Sequence, residues 1–306
     1  MEANNSWFVI INPYSGNKAF KRKKQLILDG LKQLNSDYSI HYTEYSKHET
    51  LLVEQGIEQG YRKFISVGGD GTLHHVVNGV MIHGNSCLKD IKIGVIPVGT
   101  GNDWAKNYSI PKKFSESIQI LNAEYAVQQD IGQIIHEDKH YYFNNLAGLG
   151  FDGFIVKQIS SFKKFGKLAY FLASIKGLLL FKRPVITYSW GDNTVTSESY
   201  IVAIGICEYC GGGMKLTHES NPEDGLFDVT VVKDISKLGF IWNIRKMFNG
   251  KLHKHPKVEI FKTNHISISS RGVVSPLIQA DGELIGEGNL EVELIPKAVS
   301  FIVPNE

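Results

Sequence analysis

Three glycine-containing turns each lie between an apolar run and a helix-like pattern. They are residues 12–17 (NPYSGN), residues 68–72 (GGDGT) and residues 97–103 (PVGTGND). Glycine lets backbone N–H groups approach an anion closely, and the N-terminus of a helix adds the positive end of its dipole. The hydroxyl groups of Ser15, Thr72 and Thr100 can add further donors. The three turns together predict a binding site for phosphate groups.

Asp70 places a carboxylate inside the second turn, where it would repel phosphate unless a cation stood between them. Its simplest role is to hold Mg²⁺, directly or through water. The alternative is that Asp70 caps the helix that follows. The chain has neither a GxxxxGK[ST] sequence nor a GxGxxG after its first apolar run. An ordinary P-loop is therefore excluded and a dinucleotide-binding turn is disfavoured.

The elements that must position these turns alternate between strand and helix patterns over residues 7–122. Apolar runs such as WFVII, KFISV and IKIGVIPV predict strands covered on both faces, and amphipathic patterns between them predict helices. Such βαβα alternation is typical of a parallel sheet with helices on both faces. Ligands bind beyond the carboxyl ends of the strands in sheets of this kind, which is where all three turns fall.

The pattern changes after about residue 125. Short runs with period-two alternation, separated by turn-forming residues near 136, 190 and 269, predict antiparallel strands. One helix candidate, residues 155–181, interrupts them. We therefore predict an α/β domain of residues 1–129 and a β domain of residues 130–296. The last segment, residues 297–306, reads as a strand that returns to the first domain.

Composition excludes some classes of function. The chain has 306 residues, a net charge of +2 and 42% hydrophobic residues, so nothing indicates a nucleic-acid-binding protein. The most apolar window, residues 168–181, is shorter than a bilayer span and contains Lys176. No secretory signal is visible at the start, and Cys207 and Cys210 form a lone CxxC that predicts buried thiols rather than zinc. A cytoplasmic protein is expected.

The order and spacing of NPYSG, GGDGT, VIPVGTGND and a late DGE at residues 281–283 resemble the diacylglycerol kinase catalytic-domain family. Residues 144–153, 211–216 and 221–229 are similar to its second domain. This family includes bacterial soluble lipid kinases, sphingosine kinases and ceramide kinases. The resemblance implies a nucleotide-binding α/β domain, a β-sandwich domain and an active site in the cleft between them. It also implies ATP- and Mg²⁺-dependent phosphorylation of a lipid hydroxyl.

The resemblance assigns roles to particular residues. Nucleotide contacts would be made by Asn12, Pro13, Tyr14, Ser15, Gly16, Thr43, Gly68, Gly69, Asp70, Gly71, Thr72, Leu73, His74 and Thr100. Asp281 and Glu283 would join Asp70 as catalytic carboxylates, with Glu283 as the proton acceptor. A structural Mg²⁺ would be bound by the carboxylate of Asp224 and by backbone carbonyls of Asn221 and Leu226.

Several of these assignments have simpler readings in the residues themselves. The Asp-Gly at 281–282 could be only a hairpin tip, and the turn at 221–226 only a solvated acidic turn. Which of Asp281 and Glu283 is the base stays open. His74 and His75 stand where the family usually has Asn-Glu. This replacement keeps open a nucleotide- or lipid-binding regulator without catalysis. A NAD kinase-like phosphotransferase also stays as an alternative, because NAD kinases share the GGDGT sequence.

Two basic stretches could bring the chain to a membrane surface. Residues 157–183 predict a basic amphipathic helix, which could lie on anionic lipid or pack on the core. Residues 18–24 (KAFKRKK) form a second cluster that could bind headgroups or face water. We expect a lipid substrate, peripheral contact with a membrane and no nucleic-acid partner, and a homodimer is compatible with the sequence.

Overall fold

The computed structural model describes residues 4–16, 19–151, 153–155, 157, 177, 180–272 and 274–305. The chain forms two compact units: unit 1 is Met1–Ile131 with Pro296–Glu306, and unit 2 is Gly132–Ile295. Most of the helix predicted at residues 155–181, and with it the basic amphipathic stretch, lies outside the described residues.

Unit 1 alternates strands and helices along the chain. Its elements are β1 (Asn4–Ile11), α1 (Ala19–Leu31), β2 (Tyr38–Tyr42), α2 (His48–Glu58), β3 (Tyr61–Gly68), α3 (Asp70–His83), a 3₁₀ turn (Asn85–Asp90), β4 (Lys92–Pro97), α4 (Asp103–Asn107) and α5 (Phe114–Ala123). The first part of β5 (Ala126–His136) and the last part of β17 (Leu290–Ile302) also belong to this unit.

The strands of unit 1 form a parallel sheet in the order β2, β1, β3, β4, β17. Ser300 and Phe301 of β17 pair with Lys92 and Ile93 of β4, so the last strand joins this sheet, as predicted. Strand β1 lies between β2 and β3, and the chain therefore leaves β1 to one side and returns on the other. The gap between the β1 and β3 loops is the topological switch point at which open α/β sheets bind ligands.

Helices cover both faces of this sheet, and the apolar side chains at successive positions of β1 pack against them. Val9 packs in one cluster with Ile27 of α1 and Leu121 of α5. On the other face the ring of Phe64 lies against Gly56 of α2, where an added Cβ would come within 2.7 Å of the ring. Burial on both faces explains why β1 lacks the period-two pattern of a half-exposed strand.

Unit 2 is built mainly from antiparallel strands. After the end of β5 its elements are β6 (Lys139–Phe143), β7 (Leu146–Gly150), β8 (Val185–Trp190), β9 (Asn193–Gly205), β10 (Tyr209–Cys210), β11 (Met214–Lys215), β12 (Phe227–Lys233), α6 (Lys237–Phe248), a 3₁₀ turn (Leu252–Lys254), β13 (Val258–Thr263), β14 (His265–Arg271), β15 (Leu277–Ala280), β16 (Glu283–Glu287) and the first part of β17.

The predicted fold class, an α/β unit followed by an antiparallel β unit, is confirmed. The turn predicted from residue 269 begins later than expected. Residues 269–271 continue β14 and pair with residues 185–187 of β8, and the chain leaves the strand at Gly272, whose φ is 112°. Cys207 and Cys210 are buried, as predicted, and neither forms a disulfide. Within the described part of the chain, no helix is long and apolar enough to cross a bilayer.

Candidate active site

The hydroxyl group of Thr72 joins the loop after β1 to the loop after β3. Asn12 Nδ2 donates to Thr72 Oγ1 across 3.1 Å, and Ser15 Oγ lies 3.3 Å from the same oxygen. Thr72 is buried on the first turn of α3, and its hydroxyl sits against Gly68, where an added Cβ would be only 2.3 Å from Oγ1. One threonine thus holds the two loops that flank the switch point.

A second set of contacts joins the loop after β3 to the loop after β4. The carbonyl oxygen of Gly68 accepts the N–H groups of Val98 at 2.7 Å and Gly99 at 3.1 Å. The backbones of Gly69 and Gly99 approach so closely that a Cβ added to Gly99 would lie 2.5 Å from the Cα of Gly69. The glycines are therefore required by close approach of two loops, in addition to any approach to an anion.

Asp70 extends this junction to the start of α4. Its Oδ1 accepts the N–H of Trp104, on the first turn of α4, at 3.2 Å. The carboxylate therefore caps α4, which is not the helix that follows it in sequence. Asp70 therefore does cap a helix, but the helix is α4 and not the predicted α3. The sequence does not show this because the loop after β4 reaches Asp70 only in the folded sheet.

The electrostatic setting of Asp70 is unusual for a carboxylate. Burial raises the pKa of Asp70, the nearby carboxylate of Asp103 raises this pKa further, and the backbone N–H groups of residues 102–104 act in the opposite direction. Among the described residues no lysine, arginine or histidine forms an ion pair with Asp70, whereas Asp103 Oδ1 lies 2.6 Å from Lys106 Nζ. A buried carboxylate with a second carboxylate nearby and no ion-pair partner among the described residues would be stabilised by a cation beside it.

The described residues hold no cluster of three or more His, Cys, Asp or Glu side chains suited to a metal. A magnesium ion beside Asp70 would therefore need oxygen ligands from a bound phosphate and from water, which is the usual way in which Mg²⁺ binds with nucleotides. Asp70 fits that kind of site in its donor chemistry, whereas Asp103 is already paired with Lys106.

The other predicted nucleotide contacts divide by exposure. Tyr14 and Thr100 are exposed, and Pro13, Ser15 and Gly16 are half-buried around the first loop. Gly69, Asp70 and Gly71 form the N-terminus of α3, whose first N–H groups have no partner within the helix.

Three further predicted contacts, besides Thr72 and Gly68, are buried. Leu73 and His74 have buried side chains, and Nε2 of His74 lies 3.4 Å from Asn78 Nδ2. Thr43 is also buried, and its N–H donates to the carbonyl of Ile11 at 2.9 Å. At these positions the side chains pack within unit 1, so a nucleotide at the rim of the loops would meet backbone more readily than these side chains.

Glu49 is a site residue that sequence reasoning missed. It lies on the first turn of α2 and is 2% exposed, and its Oε1 accepts Asn12 Nδ2 at 3.1 Å. Asn12 thereby bridges Glu49 to Thr72. An acidic residue on the first turn of a helix usually indicates only a favourable dipole interaction, so nothing in the sequence separated Glu49 from an ordinary helix start.

In unit 2, Asp281 and Gly282 form the two-residue turn of the β15–β16 hairpin. Both have positive φ values, 49° and 85°, as a type I′ turn requires. Asp281 Oδ1 accepts the N–H groups of Asn145 at 3.0 Å and Leu146 at 2.9 Å, and Oδ2 accepts that of Asn144 at 3.0 Å. Three backbone donors thus engage both oxygens, and the carboxylate fixes the chain at the start of β7.

Glu283 differs from Asp281 in its contacts. It is half-buried at the start of β16, directly opposite Ala280 of β15. Within the described part of the chain its carboxylate makes no hydrogen bond or ion pair. Of the two predicted catalytic carboxylates in unit 2, Glu283 is therefore the one whose oxygens are available to another molecule.

The acidic turn of residues 221–226 already has a cation beside it. Lys262 Nζ lies 2.9 Å from Asp224 Oδ2 and 3.5 Å from Asp228 Oδ2. Asp224 Oδ1 accepts the N–H of Leu226 at 3.1 Å, and Asn221 Oδ1 accepts that of Glu223 at 3.1 Å. Because the ammonium group stands where a metal would neutralise Asp224, this turn as arranged does not fit Mg²⁺. The magnesium ligands Asn221, Asp224 and Leu226 stay a prediction.

Comparisons with known proteins agree with the two-unit architecture. Residues 6–134 match the family model described as "Diacylglycerol kinase catalytic domain", and residues 146–303 match "YegS C-terminal NAD kinase beta sandwich-like domain". Over 301 residues the chain is 28% identical to diacylglycerol kinases from Staphylococcus aureus strains bovine RF122 / ET3-1 and Newman, covering 97% of this chain and 92% of each relative.

Solved structures give the same fold. A crystal structure of a diacylglycerol kinase from Bacillus anthracis str. Sterne superposes with a TM-score of 0.73 at 19% identity, covering 98% of this chain and 97% of that one. Another crystal structure from the same strain gives 0.79 at 21% identity with the same coverage. The two family models together span nearly all of the chain, which therefore belongs to the diacylglycerol kinase family, with a catalytic domain followed by a YegS-type β-sandwich domain.

Proposed function

We propose that this protein transfers the γ-phosphate of ATP to the hydroxyl group of diacylglycerol or a closely related lipid. The observation that carries the proposal is the junction of three glycine-containing loops at the switch point of unit 1, held by Thr72 and Asp70. A site built from backbone N–H groups at strand ends is suited to a triphosphate. Membership of the diacylglycerol kinase family supports a lipid as the acceptor.

Unit 1 would bind the nucleotide. The N–H groups at the start of α3 and in the loop after β1 would donate to phosphate oxygens, and the exposed hydroxyl of Thr100 would add a donor. These donors are fixed in position before the nucleotide arrives, because Asn12, Thr72 and Gly68 tie the loops to each other. Fixed donors lose little entropy on binding and stabilise charge that develops during transfer.

Mg²⁺ bound with the nucleotide would neutralise charge on the phosphates, with Asp70 as the carboxylate of unit 1 suited to face it. The structural ion predicted in unit 2 has no part in this proposal, since Lys262 already neutralises Asp224.

Unit 2 would supply the base. As the oxygen of the lipid hydroxyl bonds to the γ-phosphorus, the bond from that phosphorus to the bridging oxygen breaks and ADP leaves. The hydroxyl must lose its proton, which Glu283 would accept, since its carboxylate has no hydrogen-bond partner among the described residues. Asp281 would position Glu283 by holding the hairpin turn through the amides of residues 144–146. Phosphoryl transfer usually has a loose transition state, so a base of ordinary strength suffices.

Product identification tests this proposal. The purified protein is incubated with ATP, Mg²⁺ and mixed micelles of diacylglycerol, sphingosine or ceramide, and the products are identified by mass. We expect phosphatidic acid from diacylglycerol. Glu283→Gln should lower kcat by about 10²–10⁴-fold while ATP binding is unchanged. A Glu283→Gln protein with parental turnover would remove Glu283 as the base.

A NAD kinase-like reaction is the second candidate, because the family model matched by residues 146–303 is described as NAD kinase-like. The same assay with NAD as acceptor separates the two. Formation of NADP without any phosphorylated lipid would replace the lipid proposal. Tight ATP binding with no product from any acceptor would instead favour a binding protein without catalysis.

A further inference from the structure

Helix α6 (Lys237–Phe248) has two apolar faces, and only one of them is buried. Phe240 and Met247 are buried in the core of unit 2, with Ile244 packed against the same core. Leu238 and Trp242 lie on another face and are 71% and 82% exposed. Ser236 caps the helix by accepting the N–H of Gly239, so α6 begins at a defined residue.

The exposed apolar side chains share one side of the helix. At about 100° per residue, Leu238, Ile241, Trp242 and Phe248 fall within an arc of about 120°. Ile241 is 38% exposed and Phe248 is 51% exposed. Single exposed apolar residues need no explanation, but four on one side of one helix form a patch of the kind that marks an interaction surface.

The residues around this patch are strongly basic. Residues 237–257 contain no Asp or Glu, and they include the cations Lys237, Arg245, Lys246, Lys251, Lys254 and Lys257. This segment therefore carries a formal charge of +6, whereas the whole chain carries +2, which leaves a net charge of −4 on all other residues (+2 minus +6). One of these cations, Lys257, is ion-paired with Asp234 outside the segment, at 3.3 Å. Arg245 is exposed and lies on the same side of α6 as Trp242.

We infer that α6, together with the basic residues up to Lys257, is a docking surface for an anionic lipid bilayer. An amphipathic helix with exposed Trp and Leu flanked by cations lies in the interface plane of such a membrane, with the apolar side chains below the headgroups. The concentration of positive charge on this segment complements anionic headgroups. A partner protein whose surface carried both positive and negative charges would not complement the positive charge of this segment in the same way.

The inference rests on this surface and not on the reaction proposed above. Vesicle binding can be measured without turnover, so a protein that bound vesicles but made no phosphorylated lipid would leave the docking surface standing. Equally, a lipid kinase that acted on micelles and ignored vesicles would lose the docking surface but not the reaction.

Cosedimentation with vesicles tests the surface. The full chain is mixed with vesicles of phosphatidylcholine alone or of equal parts phosphatidylcholine and phosphatidylglycerol, and the bound fraction is measured. We expect binding to the anionic vesicles that weakens as salt is added. Arg245→Gln with Lys246→Gln should weaken it by about 25-fold, at about fivefold per cation. Trp242→Ala should weaken it by about tenfold through lost apolar burial.

Leu26→Ala is the matched control, since Leu26 is 63% exposed on α1 and lies far from this segment in the chain. It should bind like the parent. Trp242, Arg245 and Leu26 are exposed and Lys246 is half-buried, so melting temperatures should agree closely between variants and show that each protein is folded.

Tryptophan fluorescence gives a second readout. The chain has four tryptophans; Trp7 and Trp104 are buried and Trp190 is half-buried. A blue shift on adding anionic vesicles should therefore come from Trp242 and should disappear in Trp242→Phe, which should still bind.

Two results would overturn the inference. The first is equal binding of anionic vesicles by the parent, by Trp242→Ala and by Arg245→Gln/Lys246→Gln. The second is a parent that does not bind vesicles but forms a dimer that Trp242→Ala dissociates. This second result would show that the surface binds another copy of the chain instead of a membrane.

Discussion

The buried hydroxyl of Thr72 offers the sharpest test of how the candidate site is assembled. Thr72→Val replaces the hydroxyl by a methyl group of similar size, so the side chain still fills its place against Gly68. The change removes the acceptor for Asn12 at 3.1 Å and the partner of Ser15 at 3.3 Å. Asn12 keeps its bond to Glu49, and Ser15 loses a partner.

The expected cost follows from these two bonds. A net contribution of about 1 kcal/mol for each buried hydrogen bond gives a loss of about 2 kcal/mol in the free energy of unfolding of unit 1. For a domain of this size that corresponds to a fall of about 4–8 °C in its melting temperature. In Thr72→Val the loop after β1 has lost its link to α3 and must become ordered when a nucleotide binds. KM for ATP should therefore rise by about tenfold, equivalent to about 1.4 kcal/mol.

Calorimetry and steady-state kinetics measure both effects. Thr72→Ser is the matched control, because it keeps the hydroxyl and loses only the methyl group; its KM for ATP should stay near the parental value. A Thr72→Val protein with the parental melting temperature and KM would refute the hydroxyl as the link between the loops. Equal damage from Thr72→Ser would assign the role to the methyl group.

Three further predictions address other contacts. Gly99→Ala should lower the melting temperature of unit 1 and raise KM for ATP, because its Cβ would lie 2.5 Å from the Cα of Gly69; parental values would show that the loops can separate at no cost. Lys262→Met should destabilise unit 2 by about 1–2 kcal/mol in chemical denaturation, because Asp224 and Asp228 lose their cation. EDTA should not shift the melting temperature of the parent. A large shift with EDTA would instead support a bound metal ion at this turn. Burial lowers the pKa of His41 below the usual 6.5, so the folded protein binds a proton at this residue less readily than the unfolded chain. Stability is therefore full above pH 6.5 and falls as the pH drops from 6.5 through the lowered pKa. His41→Phe should make the melting temperature depend less on pH in that window, and an unchanged dependence would show that His41 is not its cause.

The position of the three loops could be predicted from the sequence because a parallel sheet puts the carboxyl ends of its strands at one edge. What the sequence could not supply was the partner of each side chain. Asp281 bonds to the amides of Asn144 and Leu146, more than 130 residues earlier in the chain. Lys262 reaches Asp224 across 38 residues. Such pairs depend on strand order and register, which periodicity does not specify.

Asp70 and Asp281 use the same physical device in different units, and this affects how mutational data on the site should be interpreted. Each carboxylate accepts backbone N–H groups and thereby fixes a neighbouring segment. Asp70 accepts that of Trp104 in α4, and Asp281 accepts those of residues 144–146 at the start of β7. Replacing either residue by alanine leaves buried donors without partners, so activity would fall whether or not the carboxylate takes part in chemistry. Loss of activity at these two positions therefore cannot identify the base. Glu283 makes no such contacts among the described residues, and a loss of turnover in Glu283→Gln with unchanged stability would report on the proton transfer itself.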